Sequence, residues 1–172
     1  ICACAKAGAV LGETEYVDLA VRAEAFIRKN LVRNGRLMVR YRDGDAAGEG
    51  KLDDYACYIL ALLELYRVTF QEEYLARASA WAETMIEQFF DRERGGFYLT
   101  AKDGEQLIVR TKETYDGAMP SGNSAAARGL QQLAQITGES KWQGILDQQL
   151  HYLAGAMEGY PPGHSYALLT MM

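Results

Sequence analysis

Features that often identify a function are scarce or missing in this chain. Cysteine occurs three times and histidine twice among 172 residues. The odd cysteine count, without the spacing of a disulfide framework, argues against a small secreted scaffold and favours a reducing compartment. No two histidines have a metal-ligand spacing, so the sequence predicts no metal site. A glycine-rich phosphate loop and a Gly-x-Ser-x-Gly elbow are also absent, and no cofactor is expected.

Long apolar runs and blocks of one charge are missing as well. No uninterrupted apolar run approaches the roughly 20 residues that a membrane span needs, and the first residues lack a signal-peptide pattern. The net charge of −5 is spread along the chain, so neither nucleic acid nor a membrane is the expected partner. With 49% apolar residues, the chain is expected to be a cytoplasmic globular protein with a small-molecule ligand.

The two ends of the sequence resemble interrupted structure. The chain starts without methionine inside the helix-like "ICACAKAGAVLG" and stops inside the apolar "SYALLTMM". Residues 1–172 are therefore expected to form one partial domain of a longer polypeptide. The missing remainder of that polypeptide is one expected partner.

Comparison of the chain with itself reveals a repeat. A turn, an aromatic residue and an alanine-spaced amphipathic segment recur three times, which predicts at least three helical hairpins. The segments are 11–27, 69–86 and 136–150, with Tyr16, Tyr74 and Trp142 at the matching positions.

The two helices of each hairpin differ in kind. "DDYACYILALLELYRV" is apolar nearly all round, which is typical of a helix buried on every side. "EYLARASAWAETMIEQFF" has one apolar stripe and a charged face, which is typical of a helix with one side in water. Short β-like pieces, "GRLMVRYRDG" and "GGFYLTAKDGEQLIVRTKE", lie between hairpins, and Asp103-Gly104 in the second predicts a tight β-hairpin turn.

Buried helices inside and amphipathic helices outside are what an (α/α) toroid requires. Six helices and the possible start of a seventh predict an all-α fold covering about half of a ring, with short β-hairpin insertions on one rim. A tetratricopeptide solenoid fits less well, because its repeat of about 34 residues contains no β insertions.

The segments before the buried helices are expected to meet on the same rim. They are "GKLDDYA", "YDGAMPSGNS" and "GYPPGHS", and helix N-termini there favour oxygen-rich or anionic ligands. The residues expected to converge on one cleft are Asp53, Asp54, Tyr115, Asp116, Ser121, Asn123 and His164.

These residue types also have a purely structural interpretation. Asp54, Ser121 and Asn123 are common N-terminal caps, and Asp53 suits the first turn of a helix. His164 lies in a turn, where acid–base catalysis, ligand contact and simple surface exposure are all open. The residue types alone do not separate capping from ligand binding.

A catalytic interpretation of the rim rests on its carboxylates. Glycoside hydrolysis usually needs two of them across a cleft, and Asp53 or Asp54 opposite Asp116 forms such a pair, with His164 assisting proton transfer. Contacts with substrate are expected from the polar or aromatic residues Tyr55, Arg110, Glu113, Tyr115, Ser121 and Asn123. A terpenoid-type toroid using Asp53-Asp54 for magnesium is a weaker alternative, because a second acidic motif is missing.

Three stretches of the chain resemble the YyaL / spermatogenesis-associated protein 20 family. They are "GKLDDYACYILALLELYRVTFQEEYLARA", "FFDRERGGFYLTAKDGEQLIVRTKETYDGAMPSGNSAAARGLQQLAQITGE" and "PPGHSYAL". The resemblance implies the C-terminal six-hairpin glycosidase-like toroid of a protein that begins with a thioredoxin-like domain, and that domain's cysteine motif is absent here.

The resemblance leaves two functional hypotheses open. One is sugar or sugar-derivative processing at the rim, as in a glycosidase or an epimerase. The alternative is a non-catalytic binding or scaffold module of a thioredoxin-domain-containing protein. Exposed carboxylates in one pocket favour the first, whereas carboxylates buried against backbone N–H groups favour the second.

Overall fold

The computed structural model describes residues 1–104 and 108–172. Its helices alternate between an inner and an outer row, and a small sheet separates the first two hairpins. In chain order the elements are α1 (Cys2–Leu11), α2 (Thr14–Asn30), β1 (Val32–Arg33), β2 (Arg36–Arg42), β3 (Asp45–Glu49), α3 (Leu52–Thr69), α4 (Glu72–Phe89), α5 (Gly122–Thr137), α6 (Ser140–Met157), a 3₁₀ turn (Pro161–His164) and α7 (Ser165–Met171).

The inner row consists of α1, α3, α5 and α7, and each packs against the next. The outer helices α2, α4 and α6 each pack on the inner helix that precedes them in the chain. α3 is buried on nearly all sides, and α5 begins with a run of small buried residues that lets neighbouring inner helices approach closely. The predicted alternation of buried and amphipathic helices is thus present, because apolar area removed from water stabilises the inner row.

The three repeat aromatics occupy the third position of α2, α4 and α6. Tyr74 and Trp142 are 2% and 1% exposed, whereas Tyr16 is 42% exposed. Tyr74 lies near Glu24 of the preceding outer helix, and Trp142 shares a surface groove with Glu83 of α4. The repeat aromatics of α4 and α6 are therefore each covered by the preceding outer helix.

The sheet is antiparallel, with strand order β1-β2-β3. Its β2–β3 hairpin turns at Asp43-Gly44, where both residues have positive φ angles, as a two-residue hairpin loop requires. The sheet places Gly50, with its N–H donating to the Leu37 carbonyl, directly before α3. The hairpin therefore fixes where the first buried helix of the site begins.

The second predicted hairpin, around Asp103-Gly104, differs from the expectation in its described part. Residues 105–107 lie outside the described residues. Among the described flanking residues, Phe97 pairs with Phe90 in an isolated bridge, and Leu99 N–H donates to the Thr111 carbonyl at 2.8 Å. Other backbone groups of this segment bond to Phe89, Gln88 and the first residue of α3. Within residues 97–104 and 108–111, no regular strand ladder is formed, because helix ends take up these backbone groups.

Candidate functional site

The N-termini of α3, α5 and α7 meet on one rim, as the repeat predicts. The segment 113–121 connects them. Asp116 N–H donates to the Gly163 carbonyl at 2.7 Å, which ties this segment to the turn before α7. Gly122 N–H, at the start of α5, lies close to the Asp53 carboxylate of α3 and favours its charged form. A Cβ at Gly122 would collide with Asp53 and Leu52, so glycine is what permits this close approach.

Asp116 is a buried strut of this rim. Its Oδ1 accepts a hydrogen bond from Ser121 N–H at 2.9 Å, and its Oδ2 accepts from Tyr166 and Ala167 N–H at 2.8 and 3.1 Å. The side chain therefore satisfies the first turn of α7 and the start of α5 at once. All of its described hydrogen bonds come from backbone groups, which is the bonding that the non-catalytic interpretation expects of this carboxylate.

Asn123 is fully buried, with 0% exposure. Its amide oxygen accepts from Phe97 N–H, and its amide nitrogen donates to the carbonyls of Phe97 and Glu113. Gln149 of α6 donates to the same amide oxygen at 3.0 Å. The expected contact with substrate hydroxyls is replaced here by a bond network that holds the segments around residues 97 and 113 against α5.

Ser121 and His164 also hold the rim together. Ser121 caps α5 by accepting from Ser124 N–H at 3.2 Å. His164 is 6% exposed, and its Nδ1 lies 2.8 Å from the Thr114 carbonyl. Because an imidazole Nδ1–H donates to such a carbonyl, this ring joins the α7 turn to the segment before Asp116. Tyr115 is 63% exposed, with its ring beside Gly163 and Gly117, and so presents an aromatic surface at the rim.

Asp54 and Tyr55, two further residues predicted for the site, have structural roles at the start of α3. Asp54 is half-buried, and its Oδ2 accepts from Lys51 N–H at 2.8 Å, which caps α3. Tyr55 is 1% exposed, and its ring packs against Trp81 and Phe89. Its hydroxyl accepts from Leu37 N–H at 3.2 Å. The ring expected to stack on a sugar is therefore part of the core.

Arg110 lies away from the α3 start. Its Nη2 donates to the carbonyls of Thr100 and Gln88, and its guanidinium stacks over the Tyr98 ring at 4.2 Å. These contacts anchor the segment after residues 105–107 to the end of α4. Arg110 therefore has a structural role. It forms no described ion pair with the carboxylates at the start of α3.

Asp53 is the predicted carboxylate that remains open. Its side chain is exposed on the first turn of α3, and Glu113 is exposed beside it. Partial burial raises the pKa of Asp53, and the nearby charges of Glu113 and Asp54 raise it further. The pair that the structure brings together is thus Asp53 with Glu113, and sequence reasoning had placed Glu113 only among the substrate contacts.

A cleft of about 500 Å³ opens beside Asp53, between α1 and α3. Its wall includes Asp53, Asp54, Cys57 and Tyr58 from α3 and Cys2 from α1. Met119, 71% exposed, lies at the rim side of the same cleft. Burial raises the pKa of the Cys57 thiol, and the charge of Asp53 raises it further. Sequence reasoning missed Cys57, although its position one turn after Asp53 on the same helix face was a usable signal.

Two other half-buried residues of the inner row were also missed. Tyr166 is the second residue of α7; burial raises the pKa of its hydroxyl, and the charge of Arg128 lowers it. Arg128 of α5 is half-buried. A lone arginine within the small-residue run "NSAAARGL" was the available sequence signal for it. In the part of the chain that the structure describes, no three His, Cys, Asp or Glu side chains are grouped to hold a metal ion.

None of the described helices is long and apolar enough to cross a bilayer.

No family profile matches the chain. Several curated proteins do. Spermatogenesis-associated protein 20 from Homo sapiens is 32% identical over 146 residues, which are 78% of this chain and 19% of that protein. The Rattus norvegicus protein is 32% identical over 149 residues, with 80% and 19% covered. The chain spans about a fifth of the length of these relatives.

Solved structures with the same arrangement include two sugar-processing enzymes. Cellobiose 2-epimerase from Bacillus thermoamylovorans superimposes with a TM-score of 0.68 at 16% identity, over 87% of this chain and 41% of that enzyme. A family 76 glycoside hydrolase (mannosidase) from Bacteroides thetaiotaomicron has a TM-score of 0.68 at 18% identity, with 91% and 41% covered. These similarities confirm the predicted (α/α) toroid fold.

Proposed function

The chain belongs to the spermatogenesis-associated protein 20 family, as a segment of its toroid region, and on that premise we propose that the rim cleft binds and processes a sugar or sugar derivative. The observation that carries the proposal is the exposed carboxylate of Asp53 in the wall of a cleft large enough for a monosaccharide, with the charge of exposed Glu113 acting on it. The neighbouring folds that act on cellobiose and mannosides support it by analogy of architecture.

The roles follow from the environments of the two acids. Burial and neighbouring charges keep a proton on Asp53 to higher pH than an ordinary aspartate, which suits a general acid. Glu113 is the exposed partner that accepts a proton or orients a hydroxyl. Tyr115 offers an exposed ring to a sugar face. These groups are held in place by residues that cap or support the rim, namely Asp54, Tyr55, Asp116, Ser121, Asn123 and His164.

Asp53→Asn and Glu113→Gln test the proposal directly. Binding is measured by thermal shift against a panel that contains glucose, mannose and cellobiose, because a ligand that binds only the folded state raises the melting temperature. We expect at least one sugar to raise the melting temperature of the protein, and each variant to weaken its binding about 10-fold. Asp18→Asn, an exposed acid on α2, is the matched control.

The proposal is abandoned if no sugar shifts the melting temperature, or if both rim variants bind as the control does. The second candidate, a non-catalytic binding or scaffold module, is favoured by Asp116 and Asp54, whose described bonds come from backbone N–H groups. Under that alternative, sugars bind without turnover or do not bind. The remainder of the longer chain is then the partner that we propose for the exposed face around Tyr16.

A further inference from the structure

Arg128 differs from the other half-buried arginines of the described residues. Arg77 pairs with the carboxylate of Glu24 at 2.6 Å, Arg36 pairs with Asp103, and Arg110 stacks on Tyr98 between two carbonyls. Arg128 forms no ion pair with any described carboxylate. Its described hydrogen bonds come only from Nη1, so Nε and Nη2 have no described partner. Neither nitrogen is a buried atom without a partner, so both are open to solvent and can donate to a ligand.

The guanidinium of Arg128 is held in position from α7. Nη1 donates to Gln131 Oε1 at 2.6 Å and approaches the Leu169 carbonyl at 3.4 Å. Gln131 in turn donates to the Thr170 carbonyl at 2.8 Å. Fixing a long side chain in advance reduces the entropy that binding would otherwise cost. These bonds leave the remaining guanidinium donors free for a planar, two-point contact with an anionic oxygen pair.

Arg128 lies on the less buried face of α5, together with Gln131 and Gln135. The inner helices α1, α3 and α5 each end in a left-handed cap, at Gly12, Phe70 and Gly138. The tenth residue before each cap is Cys2, Leu60 and Arg128, respectively, and Cys2 lines the cleft. All three are half-buried. Equivalent residues of packed repeats face the same way, so we expect Arg128 to face the side on which Cys2 lines the cleft.

The distance along α5 sets the size of ligand that spans both groups. Asp53 contacts Gly122, the first residue of α5, and Arg128 lies six residues further along that helix. At 1.5 Å per residue this separation is about 9 Å along the axis. That is on the order of the length of one sugar ring with an exocyclic acidic group.

We propose that Arg128 binds the anionic group, a carboxylate or a phosphate, of an acidic sugar derivative whose hydroxyls face Asp53 and Glu113. This inference rests on the proposed function and narrows its substrate class. Neutral sugars lack the group that compensates Arg128 and bind more weakly. Because the contact is between opposite charges, binding also weakens as ionic strength rises.

The test compares glucose, glucuronate and glucose 6-phosphate by isothermal titration calorimetry on the protein and on its Arg128 variants. We expect glucuronate or glucose 6-phosphate to bind at least about 10-fold more tightly than glucose, and Arg128→Gln to remove that difference. Which of the two acidic sugars wins identifies carboxylate or phosphate. Arg128→Lys should retain part of the preference, since it keeps the charge and loses the two-point geometry.

Arg22→Gln, an exposed arginine on α2, is the matched control and should leave the preference unchanged. If glucose binds as tightly as both acidic sugars, or if Arg128→Gln keeps the preference, the inference about Arg128 is overturned and the proposed function stands. If none of the three sugars nor any of the wider panel binds, the proposed function fails and this inference falls with it. Should Arg128→Gln fail to fold, the Arg128→Lys comparison and the salt dependence decide.

Discussion

The two sides of the rim use the same residue types for different purposes. On the side of α5 and α7, Asp116, Ser121, Asn123 and His164 are buried, and their polar atoms bond to nearby backbone groups or neighbouring side chains. On the side of α3, Asp53 is exposed beside Glu113 and a cleft. A polar residue before a buried helix therefore marks the rim. The burial and bonding partners of that residue decide whether it supports the rim or faces a ligand.

Removing Asp116 should have the largest effect. Asp116→Ala leaves three backbone N–H groups without their acceptor at two helix starts. Hydrogen bonds to a charged group contribute roughly 1.5 to 3 kcal/mol each and are not additive, so we expect a loss of about 3 kcal/mol in the free energy of unfolding. Urea denaturation measures it.

Asp53→Asn is the counterpart on the α3 side of the rim. The amide oxygen of asparagine remains close to Gly122 N–H, and the change removes a repulsion with Glu113. We expect the free energy of unfolding to change by less than about 0.5 kcal/mol, as at an ordinary surface position. Equal losses in Asp116→Ala and Asp53→Asn would remove the distinction between the two sides.

The pH dependence of stability should have opposite signs at Asp53 and Asp91. Lys112, at 2.7 Å, holds the pKa of Asp91 far below its usual range, with bonds from Glu93 N–H, Tyr98 and Arg94 N–H. A depressed pKa contributes stability above the unfolded pKa, and that stability is lost as pH falls. Asp91→Asn should therefore flatten the decline in unfolding free energy between pH 7 and pH 3.

The raised pKa of Asp53 acts in the other direction. The folded protein holds this proton more tightly than the unfolded chain, so stability falls as pH rises through the raised pKa. Asp53→Asn should remove this loss in the weakly acidic range. Thermal denaturation of the protein and both variants at a series of pH values measures the two slopes. Slopes of the same sign for the two variants would contradict the assignment.

The smallest expected effect concerns the thiol of Cys57. Its side chain is exposed at the surface of α3. Desolvation by the surrounding protein atoms and the charge of Asp53 nevertheless raise the pKa of the thiol. Alkylation needs the thiolate, so Asp53→Asn should raise the rate of Cys57 modification by iodoacetamide about 2-fold at pH 8. Mass spectrometry follows the rate, and Cys4 is the internal control. An unchanged ratio of the two rates would place Asp53 too far away to act.

The periodicity of apolar residues in the sequence was enough to predict most of the fold. The alternation of buried and amphipathic helices predicted the two rows, and the position of Tyr74 and Trp142 identified equivalent points of successive outer helices. The departure from the second predicted hairpin could not be foreseen. The backbone groups of residues 97–99 bond to α3, α4 and Asn123, which are distant in sequence. A local pattern of alternating apolar residues does not report such competition.

The candidate site was predictable in place but not in detail. Equivalent segments before the inner helices indicated the rim, and the family resemblance derived from "LDDYA" and "YDGAMPSGNS" is confirmed. Whether Asp116 or Glu113 faces Asp53 depends on side-chain direction, which residue type does not encode. Arg128 was overlooked because its significance lies in the lack of a described carboxylate partner, and ion pairing is decided by the packing of α5 against α7.

Hydrogen–deuterium exchange with and without saturating glucuronate tests the division of the rim most directly. We expect added protection in the first turns of α3, in the segment containing Glu113 and Tyr115, and around Arg128, with little change in the outer helices α4 and α6. Protection confined to the outer helices, or an unchanged exchange pattern together with measurable binding, would contradict the assignment of the α3 side as the ligand-facing side.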